Sequence, residues 1–368
     1  MRVRILAADL PLRVPFSTSA WTLHARSVYL LELSDGEHTV WGEAAPLPYF
    51  GTESVDNCHS ALVRAARVLT AIDSADAIEA ALSALPLELP HTPAARFAVE
   101  SALRDMHALH AGQPLHAVLS PHAALGARIR VNAILGRGNA ARIAADAEAR
   151  VREGYTCLKL KVGAAALHHD LDTLRAVRAR VGPAVALRAD ANGAWDERAA
   201  LAALEAFAEF DLEYVEQPVA ATAANALRRV AARSPVPVAA DESLTSLAEA
   251  RTLRDSGAVS VFILKPMALG ELLRCVDFAR ESASHGAKVV FTSLIDSAVG
   301  RRAVAHAAAA CAGTRDVHHG LGTGSLFEHD VADDGLANGE IALPAAPGLG
   351  LRPDLSRFVV LLDARHPS

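Results

Sequence analysis

The sequence predicts an α/β protein, a (β/α)8 barrel of the TIM type with a smaller α+β unit on its N-terminal side. Two observations carry that reading. From Arg128 onward, short runs rich in Leu and β-branched residues alternate eight times with Ala/Arg/Leu-rich stretches of helical period, a pattern that builds parallel strands joined by helices. Successive strand-like runs also end on a polar residue at an interval of one strand-helix unit, which suits closure into a barrel better than an open doubly wound sheet.

Taken in order, residues 1 to 50 read as strands: RVRILAADLPLRV, then SVYLLELSDGEHTVWGEAAP, broken by the turn Ser34-Asp35-Gly36-Glu37. From Val55 to His110 apolar residues recur at three and four spacing, which predicts helices and makes 1–125 an α+β unit. The barrel units, over 126–344, open on RIRVNAIL, CLKLKVG, AVALRADANGAW, LEYVEQPV, VPVAADES, SVFILKPM, KVVFTSLID and DVHHGLGT. The tail, 345–368, is turn-rich and then apolar, and is expected to return to the first unit.

Composition narrows the function classes. The 36 Lys and Arg against 42 Asp and Glu leave a net charge of −6 with no basic tract, so neither nucleic acid nor an anionic membrane is an expected partner. No apolar stretch approaches the ~20 residues of a membrane span, and the N-terminal run is interrupted by Asp9, Pro11 and Arg13, unlike a signal peptide. Cys58, Cys157, Cys275 and Cys311 lack the spacing of a disulfide framework or a zinc site, so a reducing cytoplasm is the expected home. The expected partner is a small molecule, and a homo-oligomer is compatible with the composition.

Lysine is scarce: of the 36 basic residues only Lys159, Lys161, Lys265 and Lys288 are Lys. A chain that otherwise chooses Arg keeps Lys for work a guanidinium cannot do, chiefly losing a proton. Lys288 opens its strand and reads as a surface charge. The others join the series of polar strand ends, in which Lys161, Asp190, Glu216, Asp241, Lys265 and Thr292 follow one another at 29, 26, 25, 24 and 27 residues. All would lie at the C-terminal mouth of the barrel, where catalytic residues of this architecture sit.

Asp190, Glu216 and Asp241 come from three consecutive strands, so their carboxylates converge and call for a cation. All-oxygen ligation favours Mg²⁺, with Mn²⁺ as a substitute, and the lack of His at these strand ends speaks against zinc. In Lys159-Leu160-Lys161 the lysines share one face of a strand. Facing the interior together, each is expected to lower the pKa of the other and ready a base. Lys265 lies across the mouth. A lysine beside a metal-bound carboxylate suits proton abstraction at the α-carbon, followed by racemisation, cycloisomerisation or elimination.

With Lys159-x-Lys161, Asp190-Ala-Asn192, Glu216-Gln217-Pro218, Asp241-Glu242-Ser243 and Lys265-Pro266, the chain resembles the enolase superfamily, specifically its muconate-lactonizing subgroup. Lysine or histidine bases with Mg²⁺ are a documented pattern of that superfamily. Trp41-Gly42-Glu43-Ala44-Ala45-Pro46 and Pro347-Gly348-Leu349-Gly350 extend the likeness to an N-terminal capping domain and the tail. The resemblance implies Lys161 as base, Lys265 as stabiliser of the enediolate and Lys159 as a third catalytic residue, with Asn192 and Glu242 in support. The Asp-x-Asp by which dipeptide epimerases of the subgroup hold an ammonium is missing from Asp316-Val317-His318-His319. Instead, His319-Gly320-Leu321-Gly322-Thr323 and Thr292-Ser293-Leu294-Ile295-Asp296-Ser297 are similar to segments of o-succinylbenzoate synthases, which adds Ser293, Asp296, Gly320 and Gly322 as supporting or substrate-binding candidates. The implied reaction is dehydration of 2-succinyl-6-hydroxy-2,4-cyclohexadiene-1-carboxylate, with Ser17 to Arg26 closing over the succinyl arm. N-succinylamino acid racemase, or another racemase, epimerase or cycloisomerase of the subgroup, is the alternative. Outside the family, a metal-free Schiff-base aldolase barrel would also use a mouth lysine, and a non-catalytic binding protein is a third class.

Overall fold

The computed structural model describes residues 1–17, 22–121, 123, 126–311 and 316–365. Strands β1 (Arg2–Ser17), β2 (Thr22–Ser34) and β3 (Thr39–Ala44) form an antiparallel meander. The turn between β2 and β3 forms because Asp35 Oδ1 accepts from the backbone N–H of Glu37 and His38, a side-chain mimic of a backbone turn. Helices α1 (Val55–Leu69), α2 (Ala75–Glu88) and α3 (Pro93–His110) follow, with α3 buried for most of its length. β3 lies directly on α3, and a Cβ at Gly42 would overlap the Ala98 carbonyl, so only glycine permits that approach. The short α4 (Leu115–Leu119) completes the unit.

The barrel begins with a strand in two pieces, β4 (Arg128–Arg130) and β5 (Ala133–Leu135). It proceeds through α5 (Ala140–Arg152), β6 (Cys157–Lys161), α6 (Leu167–Val181), β7 (Ala186–Asp190), α7 (Glu197–Phe207) and β8 (Leu212–Glu216). Then come α8 (Ala224–Arg233), β9 (Val238–Ala240), α9 (Leu247–Asp255), β10 (Val261–Leu264), α10 (Pro266–Leu269), α11 (Leu272–Ser284), β11 (Lys288–Phe291) and α12 (Ala298–Ala309). β5 to β11 form one parallel sheet in sequence order. Closure is made by single parallel bridges, Val131 to His319 and Thr292 to Gly320, so the eighth unit contributes a two-residue seam where a full strand was expected. A Cβ at Gly320 would overlap Thr292 Oγ1, which explains both the glycine and the tightness of the seam. Beyond it, β12 (Leu336–Ala337) and β13 (Glu340–Ala342) pair with β4. β14 (Val359–Arg365) returns to the first unit and pairs antiparallel with β1.

Inside the barrel, Tyr214, Ala239, Val261, Ile263, Val290 and Val317 make an apolar plug separate from the main core. The floor is polar. Arg188, wholly buried, donates to Glu213 (2.8 Å), Asn132 (3.1 Å) and the His318 carbonyl (2.7 Å), with its guanidinium 4.7 Å from the centre of the Tyr214 ring. The first unit is fastened to the barrel by buried polar contacts. Glu43, at the end of β3, accepts from Ser297 N (2.7 Å), Ser297 Oγ (2.5 Å) and Gly300 N (2.7 Å), and so caps α12. Arg26 donates to the carbonyls of Ala45 and Pro46 on one side and of Leu294 and Ile295 on the other.

Candidate active site

Parallel register sets the site. Lys161 pairs with Asp190 and Asp190 with Glu216 across β6, β7 and β8, so three polar ends stand side by side. Asp241 follows β9 and Lys265 follows β10, continuing the arc. Asp190, Glu216 and Asp241 are 1%, 1% and 7% exposed. Three carboxylates this deep are costly unless cations meet them, and the lysines do so in part. Lys159 Nζ lies 2.6 Å from Glu216 Oε1 and 2.8 Å from Asp190 Oδ2. Lys161 Nζ is 2.6 Å from Asp190 Oδ2 and 2.8 Å from Asn192 Oδ1. Lys265 pairs with Asp241, and its ammonium stands 5.1 Å from the centre of the Phe50 ring, contributed by the first unit.

Burial and the neighbouring Asp190 push Glu216 up to about 8, and its Oε2 is buried without a hydrogen-bond partner. An orphaned oxygen among converging hard donors fits a divalent cation held by Asp190, Glu216 and Asp241. Burial works against the charge on Lys159, but Asp190 and Glu216 outweigh it and raise the pKa well above the ordinary value. This corrects the expectation that the two lysines of β6 depress one another: the neighbouring ammonium matters less than two carboxylates in direct contact with Lys159. Lys265 is raised likewise; burial opposes its charge and Asp241 overrides it.

The supporting residues divide. Asn192 accepts a hydrogen bond from Lys161 Nζ at Oδ1 and donates to Glu242 Oε1 (2.9 Å), tying Lys161, the carboxylate arc and Glu242 together. Ser293 Oγ shares a 2.7 Å hydrogen bond with Thr323 Oγ1, lacing the barrel seam. Gly322 lines the cavity in front of Lys161, whereas Gly320 packs on Thr292 and serves closure. Asp296 is wholly buried behind the mouth, close to Glu43 and Arg26, and is pushed up to about 7 by burial and by Glu43. It faces the joint with the first unit, so a substrate contact for Asp296 is corrected to a structural position. Residues 18–21 of the expected closing loop lie outside the described residues, and Arg26 belongs to the joint. Gln217 escaped the sequence reading as a site residue, although it stands inside Glu216-Gln217-Pro218. Its amide accepts from Asp241 N and Ser243 N and donates to Ser243 Oγ and the Val219 carbonyl.

A cavity of about 810 Å³ opens in front of Lys161 and Asn192, walled by β5, the start of α5, Val14 to Phe16 of β1, and Gly322 to Leu326. At the opposite end of the barrel, Cys157, Glu213 and His318 also converge. There Arg188 and Lys288 already face the two Glu213 oxygens at 2.8 and 3.6 Å, so a metal ion would meet two positive charges.

The chain is similar to known proteins in sequence and fold. The family described as "Enolase C-terminal domain-like" matches residues 142–357, and "MenC, N-terminal domain" matches residues 2–105. Muconate cycloisomerase 1 of Pseudomonas putida is 28% identical over 372 residues, covering 96% of each chain. The o-succinylbenzoate synthase of Desulfotalea psychrophila is 32% identical over 250 residues, 67% of each chain. The solved structure of the L-Ala-D/L-Glu epimerase from Bacillus subtilis superimposes with a TM-score of 0.88 at 27% identity, covering 96% of this chain and 98% of its own.

Proposed function

The chain belongs to the enolase superfamily, in its muconate-lactonizing subgroup, and from that premise we propose that it removes the α-proton of a carboxylate substrate, as an o-succinylbenzoate synthase. The observation that carries this reading is Lys161 Nζ at the cavity wall beside Asp190 and Asn192, next to a buried carboxylate arc with an orphaned oxygen. A Mg²⁺ ion held by Asp190, Glu216 and Asp241 would supply the positive charge that acidifies the α-carbon of a carboxylate.

Lys161 takes the α-proton onto Nζ, while Asn192 and Asp190 hold its amine in place. As the conjugate acid, Lys161 then returns a proton to the departing hydroxyl on the same face, so that water leaves and the ring becomes aromatic. Lys265, kept protonated by Asp241, stands opposite and stabilises negative charge developing on the substrate carboxylate. Lys159 bridges Asp190 and Glu216 and favours the ionised form of both. The same two lysines flanking a planar intermediate would racemise an N-succinylamino acid, with Lys265 as the second acid/base. A Schiff-base nucleophile needs a depressed pKa, the opposite of what Asp241 imposes on Lys265.

Release of o-succinylbenzoate from its hydroxycyclohexadiene precursor, set against α-deuterium exchange into an N-succinylamino acid in D2O, separates the two activities. Lys161→Arg should keep fold and Mg²⁺ affinity and lose at least ~100-fold in rate, the scale of a lost general base; near-normal turnover would remove the assigned base. EDTA should abolish turnover and Mg²⁺ restore it. Full activity in chelator, with borohydride trapping of a carbonyl substrate, would favour the aldolase.

A further inference from the structure

The cavity lining is chemically mixed. Lys161 and Asn192 share it with three arginines: Arg137 just before α5, Arg142 in its first turn and Arg150 in its last. Arg150 is accounted for, with Asp146 at 3.4 Å and Glu153 at 2.9 Å. Among the described residues no ion pair or side-chain hydrogen bond occupies the guanidinium of Arg137 or of Arg142. Arg142 is also oddly placed for helix stability. Asn139 caps α5 and accepts from the Arg142 N–H, so Arg142 sits in the first turn, where the helix dipole disfavours a cation and no acidic residue offsets it. Its stem is seated nonetheless: the Cδ of Arg142 lies 3.3 Å from where a Cβ on Gly138 would be, and the bare glycine leaves room for the side chain. Phe16, Ile143 and Leu326 add apolar wall to the same cavity.

A cavity lined by a proton-abstracting lysine, apolar side chains and two solvent-facing guanidiniums that make no ion pair among the described residues fits a substrate whose acyl arm finishes in a second anion. We propose that Arg142, seconded by Arg137, is a specificity-determining residue that binds a distal carboxylate on the substrate's acyl arm. This rests on the assignment of Lys161 as the base. It selects against arms ending in an ammonium and against neutral arms of equal length.

The test compares N-succinyl-L-phenylalanine with its neutral succinamoyl amide, an isostere lacking only the distal charge, on the Mg²⁺-loaded enzyme. Binding is measured by calorimetry and α-deuterium exchange in parallel. Arg142→Ala should weaken binding of the succinyl compound about tenfold, the scale of a charge-assisted hydrogen bond, with KM raised, kcat unchanged and the amide unaffected. Arg137→Ala/Arg142→Ala should erase the preference, and higher ionic strength should shrink it in the wild type. A succinyl-to-amide binding ratio that survives the double substitution, or a wild type with no such preference, overturns the assignment of Arg142. Deuterium exchange that persists in Lys161→Arg overturns the base assignment instead, and the calorimetric ratio still decides the role of Arg142.

Discussion

Gln217 adopts φ of 40°, a region that residues with a side chain rarely occupy, and Asn192 does so at 46°. Both lie within two residues of a carboxylate-bearing strand end, and in both the side chain explains why the strained backbone is retained. Turning the chain at Gln217 lets its Oε1 accept from Asp241 N (3.0 Å) and Ser243 N (3.2 Å), which fixes the loop carrying the third carboxylate. Gln217→Ala should therefore weaken Mg²⁺ binding about tenfold, as expected when groups orienting a ligand are lost, even though Gln217 touches no candidate ligand atom of the ion. Calorimetric Mg²⁺ titration of the variant checks this, and unchanged affinity would mean that Asp241 is positioned without Gln217. At this scale the convergence of the three carboxylates with Lys161 and Lys265 was legible from their interval, because one side chain per strand end is a periodic signal. It did not announce Gln217, whose importance lies in backbone contacts, nor the upward shift at Lys159, which depends on which atoms touch.

At the scale of elements, alternation made the barrel legible, since each strand had to be apolar on the helix-facing side and each helix amphipathic. Less legible were the elements whose character comes from other elements. The eighth strand shrinks to a seam around Gly320, and Asp296 looked like a mouth residue because a strand end does not reveal which way the next loop turns. The positive φ of Ile295, 58°, is part of what carries Asp296 away from the cavity. There it joins Glu43, whose three accepted hydrogen bonds make β3 the cap of α12, a helix buried along its whole length. Glu43→Ala would strand buried donors at the N-terminus of α12. A loss of roughly 3–5 kcal/mol follows, from about 1–3 kcal/mol for each unsatisfied group. Glu43→Gln keeps an acceptor and should lose less than half as much. Urea denaturation of the two variants measures the difference, and equal losses would show that one acceptor does not suffice and that both carboxylate oxygens are needed to hold the units together.

Across the whole molecule, the tail closes the chain by a contact that titrates. Gly348 has φ of 75° and lets the backbone turn onto α3, so that Leu349 N donates to Asp105 Oδ1 at 2.6 Å. Burial nevertheless raises Asp105 to about 7, because one hydrogen bond does not replace the water removed. The folded state thus holds a proton that the unfolded chain releases near its ordinary value of 3.8. Stability from this group is complete below that value and is lost as pH rises toward 7. His318 acts in the other direction: burial and the nearby Arg188 lower it to about 4, so the folded state prefers the neutral ring and loses stability as pH falls from 6.5 toward 4. The two windows overlap and oppose each other, which masks both in the parent protein. Asp105→Asn removes one side while leaving Oδ1 as an acceptor for Leu349. Relative to the parent, its unfolding free energy should improve by about 2–3 kcal/mol between pH 5 and pH 8, the work of roughly two pH units on one buried proton. Its stability should also fall more steeply in acid, where His318 is no longer offset. Denaturant curves at the two pH values decide the matter: a difference between variant and parent that does not change with pH would mean that Asp105 is ionised in the folded protein and that the tail is held by a charged contact.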